Sequence, residues 1–133
     1  MNRQDSEIVR QWTMYEVGGP RATREKWYPY LDNIDAIIFL APISCFDEVL
    51  DEDPRVNRIH DSLLLWKGIC KSRLFNYVPL VLFLNKCDIL SRKLEEKSAD
   101  GARVKCVKDF FPDFGDAEQD TKGVGECEYF SHF

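Results

Sequence analysis

Histidine is scarce in this sequence, and its cysteines do not occur in close pairs. There are two histidines, and the five cysteines include no C-x-x-C motif. Because a structural zinc site needs four suitably spaced His or Cys ligands, this composition argues against zinc and favours reduced thiols. Reduced thiols are typical of cytoplasmic proteins.

Long apolar runs are missing as well. The longest runs, residues 36–43 and 78–84, are far shorter than the ~20 residues that a membrane span needs. The first residues show neither a signal-peptide pattern nor the Met-Gly start of a myristoylated protein. We therefore expect membrane contact only through a partner or through a segment that this sequence does not contain.

Basic charge is not in excess either. Eighteen Lys and Arg residues are scattered among twenty-three Asp and Glu residues, which gives a net charge of −5. A nucleic-acid-binding surface is therefore not expected. What the chain does have is 44% apolar residues, with nine Phe and three Trp among its 133 residues. That composition is enough for one hydrophobic core, and we expect a single domain or part of one over residues 1–133.

Two short apolar runs predict a parallel sheet. Residues 36–41 and 78–84 are continuous apolar segments, typical of strands that are buried on both faces. Between them, Asp53 and Pro54 predict a helix start, with an N-cap followed by proline at the first helical position. Apolar residues then recur at helical spacing: Val56, Ile59, Leu63, Trp66, Cys70 and Leu74. The pattern predicts a β–α–β unit, and hence an α/β fold with a parallel sheet and helices on both faces.

Further elements are predicted on either side of this unit. Alternating residues at 12–17, followed by a glycine pair, predict a third strand that ends in a tight turn. Residues 21–28 predict a short helix, which Pro29 should end or kink near Tyr28. Residues 90–97 predict another short helix, whereas residues 99–133 show no clear pattern.

The most informative local motif follows the second apolar run. It consists of Asn85, Lys86, Cys87 and Asp88. A carboxylate at Asp88 can accept two hydrogen bonds from the N1–H and 2-amino groups of guanine, which adenine cannot offer. The Asn85 amide can reach the N7 and O6 side of the base, and the Lys86 stem can lie along it. Ligands of open α/β sheets bind beyond the carboxyl ends of the strands. By itself, the tetrapeptide is equally consistent with a polar turn after a buried strand.

A second motif ends the predicted upstream strand, at Glu16, Val17, Gly18, Gly19 and Pro20. A glycine at this place lets a backbone N–H approach a terminal phosphate, and an acidic side chain can hold a magnesium-bound water. A Gly-Gly-Pro turn alone is common. However, the elements predicted between the two motifs are a strand, a helix and a strand, which places both motifs at the same edge of the sheet.

In this order, the motifs resemble the heterotrimeric G-protein alpha subunit. The resemblance runs without gaps from about Trp12 to Leu90 and is carried by residues 15–19, Arg21, Arg24, residues 26–27, 35–39, 57–58, 62–66, 69–70 and 82–86. The helix with Lys26 and Trp27, and the helix that carries Asn57, Arg58 and residues 62–65, favour this family over small Ras-like GTPases. The resemblance implies part of a Ras-like P-loop GTPase domain, from switch II to the guanine-specificity strand and the helix region after it.

The resemblance also implies ligands and partners. GTP or GDP with Mg²⁺ would be the cofactors, and G-protein beta-gamma subunits, a G-protein-coupled receptor and regulators the partners, at the inner face of the plasma membrane. The nucleotide-binding residues would be Glu16, Val17, Gly18, Gly19, Pro20, Asn85, Lys86, Cys87 and Asp88, with Glu16 reaching the metal only through water. The partner-binding residues would be Arg21, Arg24, Lys26 and Trp27. Arg24 would pair with Asp61 in the activated state; as alternatives, Arg24 lies on a solvated helix face and Trp27 is a core aromatic.

The sequence departs from the family at the second motif. Pro20 stands where the family has the glutamine that orients the attacking water, and Glu16 stands where it has Asp. No Gly-Lys dipeptide occurs, so this sequence contains no phosphate-binding loop of the G-x-x-x-x-G-K-[ST] type. We therefore expect impaired GTP hydrolysis and assign no catalytic residue. Two alternatives stay open, namely a non-catalytic module that binds beta-gamma subunits and a truncated fragment without function.

Overall fold

The computed structural model describes residues 11–101 and 104–112, without the side chain of Tyr28. The chain divides into two compact units, Met1–Ile34 and Asp35–Phe133. Most of the segment 99–133, for which the sequence predicts no element, lies outside the described residues.

The second unit is built on a parallel pair of strands. Strand β1 (Ile37–Pro42) pairs with β2 (Leu80–Asn85) over six residues each, from Ile37 opposite Leu80 to Pro42 opposite Asn85. The predicted parallel pairing and the α/β class are confirmed. β2 begins two residues after the start of the apolar run, and the carbonyl of Pro79 before it accepts a hydrogen bond of 2.9 Å from the Ile37 N–H.

The prediction that these strands are buried on both faces is wrong for the described residues. Ile38, Leu40, Val81 and Phe83 are between 41% and 58% exposed and alternate with less exposed neighbours along their strands. The other face is covered, and there the ring centroids of Phe39 and Trp66 lie 5.3 Å apart. The continuous apolar sequence did not distinguish the two faces, because their burial depends on what covers each one.

Helix α1 (Arg58–Lys71) connects the two strands and buries Ile59, Leu63 and Trp66, as the spacing predicts. Its last predicted apolar residues do not contribute to the core. Cys70 is exposed, and Leu74 is 74% exposed in a separate 3-10 helix, Arg73–Phe75.

The start of α1 differs from the prediction. Asn57, not Asp53, is the N-cap, and its side-chain oxygen accepts hydrogen bonds from the backbone N–H groups of Ile59 (2.8 Å) and His60 (3.3 Å). Its amide also donates to the Phe46 carbonyl at 2.7 Å. Asp53 instead begins a turn that the Val56 N–H closes at 3.0 Å. Asn57 can satisfy the helix and the distant loop at once, which fixes the helix start there.

Helix α2 (Cys87–Glu95) begins three residues before the predicted position, so Cys87 and Asp88 lie in its first turn. The main core cluster is formed by the 3-10 helix Ile43–Cys45 with Phe46, α1, α2 and the segment after Val104. Its members are Ile43, Cys45, Phe46, Ile59, Leu90, Leu94, Val107 and Phe111. The last two come from a segment in which the sequence predicts no element.

In the unit Met1–Ile34, residues 11–20 are exposed and have no regular structure. The predicted third strand is therefore wrong, because a strand needs a hydrogen-bonded neighbour and the sheet of the described residues contains β1 and β2. The predicted helix exists as a 3-10 helix, Arg21–Tyr30. It does not end at Tyr28, since Pro29 lies inside its last turn.

We predict that Asn57→Ala lowers the free energy of unfolding of the chain by about 1–2 kcal/mol, because the helix N-cap and the bond to Phe46 are lost together. Asp53→Ala is the matched control, and it should cost less because Asp53 does not cap the helix. Urea unfolding followed by the fluorescence of the tryptophans measures both. A larger loss in the Asp53 variant would show that α1 is capped as the sequence alone predicts.

Candidate functional site

The turn between β2 and α2 holds the predicted guanine-binding residues. Asn85 is the last residue of β2, and its side-chain oxygen accepts a hydrogen bond of 2.8 Å from the Lys86 N–H. Lys86 has φ 65° and ψ 37°, the left-handed conformation, and it is the N-cap of α2. A residue other than glycine pays a conformational cost of roughly 1 kcal/mol or more there, and such residues cluster at functional sites. This conformation reverses the chain from strand to helix within one residue.

A further hydrogen bond within the turn fixes its backbone, while its side chains are exposed to solvent. The thiol of Cys87 donates to the Leu84 carbonyl at 3.1 Å, which joins the first residue of α2 to the end of β2. The side chain of Asp88 is 78% exposed, and one of its oxygens lies 3.7 Å from the Arg92 guanidinium one helical turn later. Its carboxylate is therefore accessible to a ligand. All four motif residues are exposed at the carboxyl end of β2.

A cluster of charged side chains joins α2 to the residues after β1. We call it the Lys93 cluster, and its members are Lys93, Asp47, Glu48, Lys105 and Arg58. The Lys93 ammonium donates to the Asp47 carboxylate (2.6 Å), the Glu48 carboxylate (2.9 Å) and the Ser44 carbonyl (2.8 Å). An ammonium group has three donors, so all of them are used. Lys105 also contacts Asp47, and Arg58 donates to Glu48 at 2.9 Å.

The pKa values reflect this cluster. Burial by itself raises the pKa of the Asp47 carboxyl, whose side chain is 4% exposed, but hydrogen bonds from Lys105 and Lys93 outweigh it and lower the pKa below its ordinary value. The hydrogen bond from Lys93 also lowers the pKa of Glu48. Burial lowers the pKa of Lys93, and its bonds to Asp47 and Glu48 more than compensate, so that its pKa is raised. Asp47, Glu48 and Lys93 are therefore held in their charged forms.

Sequence reasoning missed the Lys93 cluster. Lys93 and Asp47 are 46 residues apart in the chain, and Lys93 and the Ser44 carbonyl are 49 apart. The sequence does not show whether the charged group of a helical residue such as Lys93 is bound by other protein groups or by solvent.

The second predicted motif, residues 16–20, lies in the unit Met1–Ile34. Gly19 has φ +110°, which favours glycine, and a Cβ atom there would lie 2.9 Å from the Thr23 hydroxyl oxygen. The Pro20 carbonyl accepts hydrogen bonds from the Thr23 backbone N–H (2.9 Å) and hydroxyl (2.8 Å), which begins the 3-10 helix. Glu16 and Val17 are exposed before it.

The predicted partner-binding residues lie on this 3-10 helix. Arg21 and Lys26 are exposed, whereas Arg24 and Trp27 are half-buried. The Trp27 indole N–H donates to the Gly18 carbonyl at 3.4 Å. Trp27 is therefore neither a fully buried core residue nor a fully exposed one. The pairing of Arg24 with the buried Asp61, and the meeting of the two motifs at one sheet edge, stay predictions because these residues belong to different compact units.

Comparison with known proteins identifies the family. The family model described as the G-protein alpha subunit matches residues 5–132. The chain belongs to the G-protein alpha subunit family. The match confirms the resemblance over residues 12–90 and extends it to the segment after residue 98, where the sequence showed no pattern.

Several fungal relatives of this alpha-subunit chain are similar to it over most of its length. The guanine nucleotide-binding protein subunit alpha of Candida albicans is 37% identical over 111 residues, which are 84% of this chain and 24% of that protein. The alpha-4 subunit of Mycosarcoma maydis is 45% identical over 94 residues, 71% of this chain and 16% of that protein. The alpha-1 subunit of Neurospora crassa is 40% identical over 118 residues, 89% of this chain and 30% of that protein. The chain thus spans less than a third of the length of these relatives.

The Mg²⁺ that the resemblance implies stays a prediction for this alpha-subunit chain. Within residues 11–101 and 104–112, no group of three His, Cys, Asp or Glu residues is placed to hold a metal ion. No helix in the described part of the chain is long and apolar enough to span a membrane.

We predict that the alpha-subunit chain loses stability on acidification, partly through Asp47. A carboxyl whose pKa is lowered by folding stabilises the folded state above its unfolded pKa, near 3.8, and this contribution is lost as the pH falls through the lower folded pKa. Urea unfolding at pH 7 and below pH 4 should therefore show a smaller acid-induced loss in Asp47→Asn than in the wild type. Asp51→Asn, at an exposed position nearby, is the control. Equal losses in wild type and Asp47→Asn would contradict the assignment.

Proposed function

We propose that this chain carries the guanine-recognition part and the switch II part of a GTP-binding, GTP-hydrolysing signal transducer. The observation that carries the proposal is the turn at residues 85–88. It presents an exposed carboxylate, Asp88, in the first turn of α2 directly beyond the end of β2. Family membership supports the same function.

The hydrogen bonds within the turn favour guanine as the ligand. Because the Asn85 side-chain oxygen is bound to the Lys86 N–H, its amide N–H₂ group is the part left to meet a base. Guanine presents two acceptors, N7 and O6, on that side. Asp88 supplies the acceptors for the N1–H and 2-amino donors on the opposite side. Adenine has a donor at position 6 and no 2-amino group, so it would mismatch both residues.

The second motif is the part of the proposal that concerns the phosphate end of the nucleotide. We propose that the N–H of Gly19 contacts the terminal phosphate and that Glu16 contacts a magnesium-bound water, as the resemblance implies. The positive φ of Gly19 supports a backbone specialised for close approach. GTP hydrolysis would be slow, because Pro20 has no side-chain amide to orient the attacking water and no N–H to replace it.

The remaining parts of the proposal concern the whole protein. Signalling from a G-protein-coupled receptor, binding of beta-gamma subunits and a cytoplasmic location at the inner face of the plasma membrane are supported by family membership. Arg21, Arg24, Lys26 and Trp27 are the residues proposed to bind beta-gamma subunits.

A second candidate function is a non-catalytic module that binds beta-gamma subunits. It is favoured by the exposed basic residues Arg21 and Lys26 on the 3-10 helix and by Pro20 at the catalytic position. The two candidates differ in their need for nucleotide. If this chain binds beta-gamma subunits equally well with and without GDP or GTP, that result would favour the second candidate function.

We predict that this chain binds guanine nucleotides weakly, with a dissociation constant above about 1 µM, because its sequence contains no G-x-x-x-x-G-K-[ST] motif to hold the phosphates. GMP, and not AMP, should shift the amide resonances of residues 85–88. In Asp88→Asn the preference should move to XMP, because the new amide donates to the xanthine C2 carbonyl. Asp51→Asn is the control with one carboxylate removed elsewhere. Equal responses to GMP and AMP in the wild type would refute guanine recognition by this turn.

We also predict that Pro20→Gln accelerates GTP hydrolysis in an alpha subunit that contains this segment together with a phosphate-binding loop. Glutamine acts in the transition state, so the gain should be of order 10²-fold in single-turnover rate with nearly unchanged GTP affinity. Pro20→Ala serves as the control for relief of the proline ring alone. If the Pro20 protein already hydrolyses GTP as fast as Pro20→Gln, this position lies outside the catalytic site. A parallel rise in GTP affinity would mean that proline displaces the Gly19 N–H.

A further inference from the structure

The guanine-recognition turn depends on how α2 is held. Its residues are exposed, and the first apolar contact of α2 with the core is Leu90, with Leu94 one turn later. At the start of α2, the Leu90 N–H donates to the Lys86 carbonyl at 3.1 Å, and the Cys87 thiol donates to the Leu84 carbonyl at 3.1 Å. Both bonds act at the start of α2, and the buried apolar residues of this nine-residue helix are Leu90 and Leu94. A polar interaction farther along the helix would therefore add to what fixes its direction.

The Lys93 cluster provides such an interaction. Lys93 lies between Leu90 and Leu94 along α2, and its ammonium binds three oxygens of the loop after β1. It also lies 5.7 Å from the centroid of the fully buried Phe46 ring, over its face. The Asp47 side chain that it binds is 4% exposed, so this contact is shielded from solvent. A surface ion pair would be too weak and mobile for this task.

The acceptor loop is itself anchored. The Phe46 carbonyl accepts the hydrogen bond from the Asn57 amide at the start of α1, and Arg58 holds Glu48. The loop also follows the end of β1, where Pro42 lies opposite Asn85 of the recognition turn. The Lys93 ammonium is thus bound to a loop that is fixed both to the sheet and to α1.

We propose that Lys93 is a positioning residue for guanine recognition, which fixes the direction of α2 and thereby the placement of Asp88 relative to Asn85. Lys93 does not touch the base. Asp88 is five residues away along a rigid helix, about 7.5 Å at 1.5 Å per residue. The inference rests on the proposed role of residues 85–88 in binding guanine.

Lys105 offers a matched comparison. It contacts the same Asp47 carboxylate but belongs to the segment after Val104, which contributes Val107 and Phe111 to the core. Removing Lys105 leaves Asp47 paired with Lys93 and leaves α2 attached. The two lysines therefore separate the effect on α2 from the effect of disturbing the buried carboxylate.

The test compares Lys93→Met with Lys105→Met in the 133-residue chain. Amide hydrogen exchange at Leu90 and Ser91, relative to the amides of β2, reports on the attachment of α2. We expect this ratio to rise at least about tenfold in Lys93→Met, equivalent to about 1.4 kcal/mol of local opening, and to stay unchanged in Lys105→Met. The double variant Asp47→Asn with Lys93→Met should show the same rise, and it avoids an uncompensated buried carboxylate if the single variant unfolds.

The second readout is the GMP-induced shift of the resonances of residues 85–88. It should weaken at least about fivefold in Lys93→Met and return only in part in Lys93→Arg, which keeps the charge but not the three-donor geometry of the ammonium. Lys105→Met should respond as the wild type does. A wild-type exchange ratio in both Lys93→Met and the double variant would overturn the inference. An equal effect of Lys105→Met would also overturn it. A wild type that gives no GMP response would refute the proposed function, and the exchange ratio would still decide whether Lys93 positions the turn.

Discussion

β1 and β2 run parallel with Pro42 opposite Asn85, so both strands end at the same edge of their sheet. Because of this register, the loop after β1 and the turn after β2 leave the sheet side by side. The first carries Asp47 and Glu48, and the second leads through Lys86 into α2 and to Lys93. The pairing of the strands therefore brings together the charged groups that hold α2, although they are more than 40 residues apart in the chain.

The same sheet shows how the faces of a parallel pair differ. One face carries Phe39 against Trp66 and is covered by α1, and the other exposes Ile38, Leu40, Val81 and Phe83. A contiguous apolar face of this kind is unusual for a solvent surface. Among the described residues, the indole nitrogen of Trp66 is also buried without a hydrogen-bond partner, on the covered side.

The two predicted ligand motifs differ in how much of their geometry the sequence indicated. At residues 85–88, the motif residues, the strand before them and the helix after them were all expected, and the difference was a helix start three residues earlier. That shift matters, because it puts Asp88 on the first turn of a helix instead of in a loop. At residues 16–20 the glycine turn and the following helix were expected, but the strand before them is absent from the described residues. Alternation of side chains predicts a strand only where a neighbouring strand completes the hydrogen bonds.

The sequence by itself determined the elements whose signals are local: two apolar strands, the buried face of α1 at helical spacing, and the Asn85 to Asp88 motif with the family that it indicates. It did not determine the start of α1, since Asp53 with Pro54 is as good a local signal as Asn57. Only the carbonyl of Phe46, 11 residues away from Asn57, decided between them. The attachment of α2 through Lys93 was decided in the same way, because the partners of a charged side chain depend on which loops the strand pairing brings beside it, and no local pattern records that.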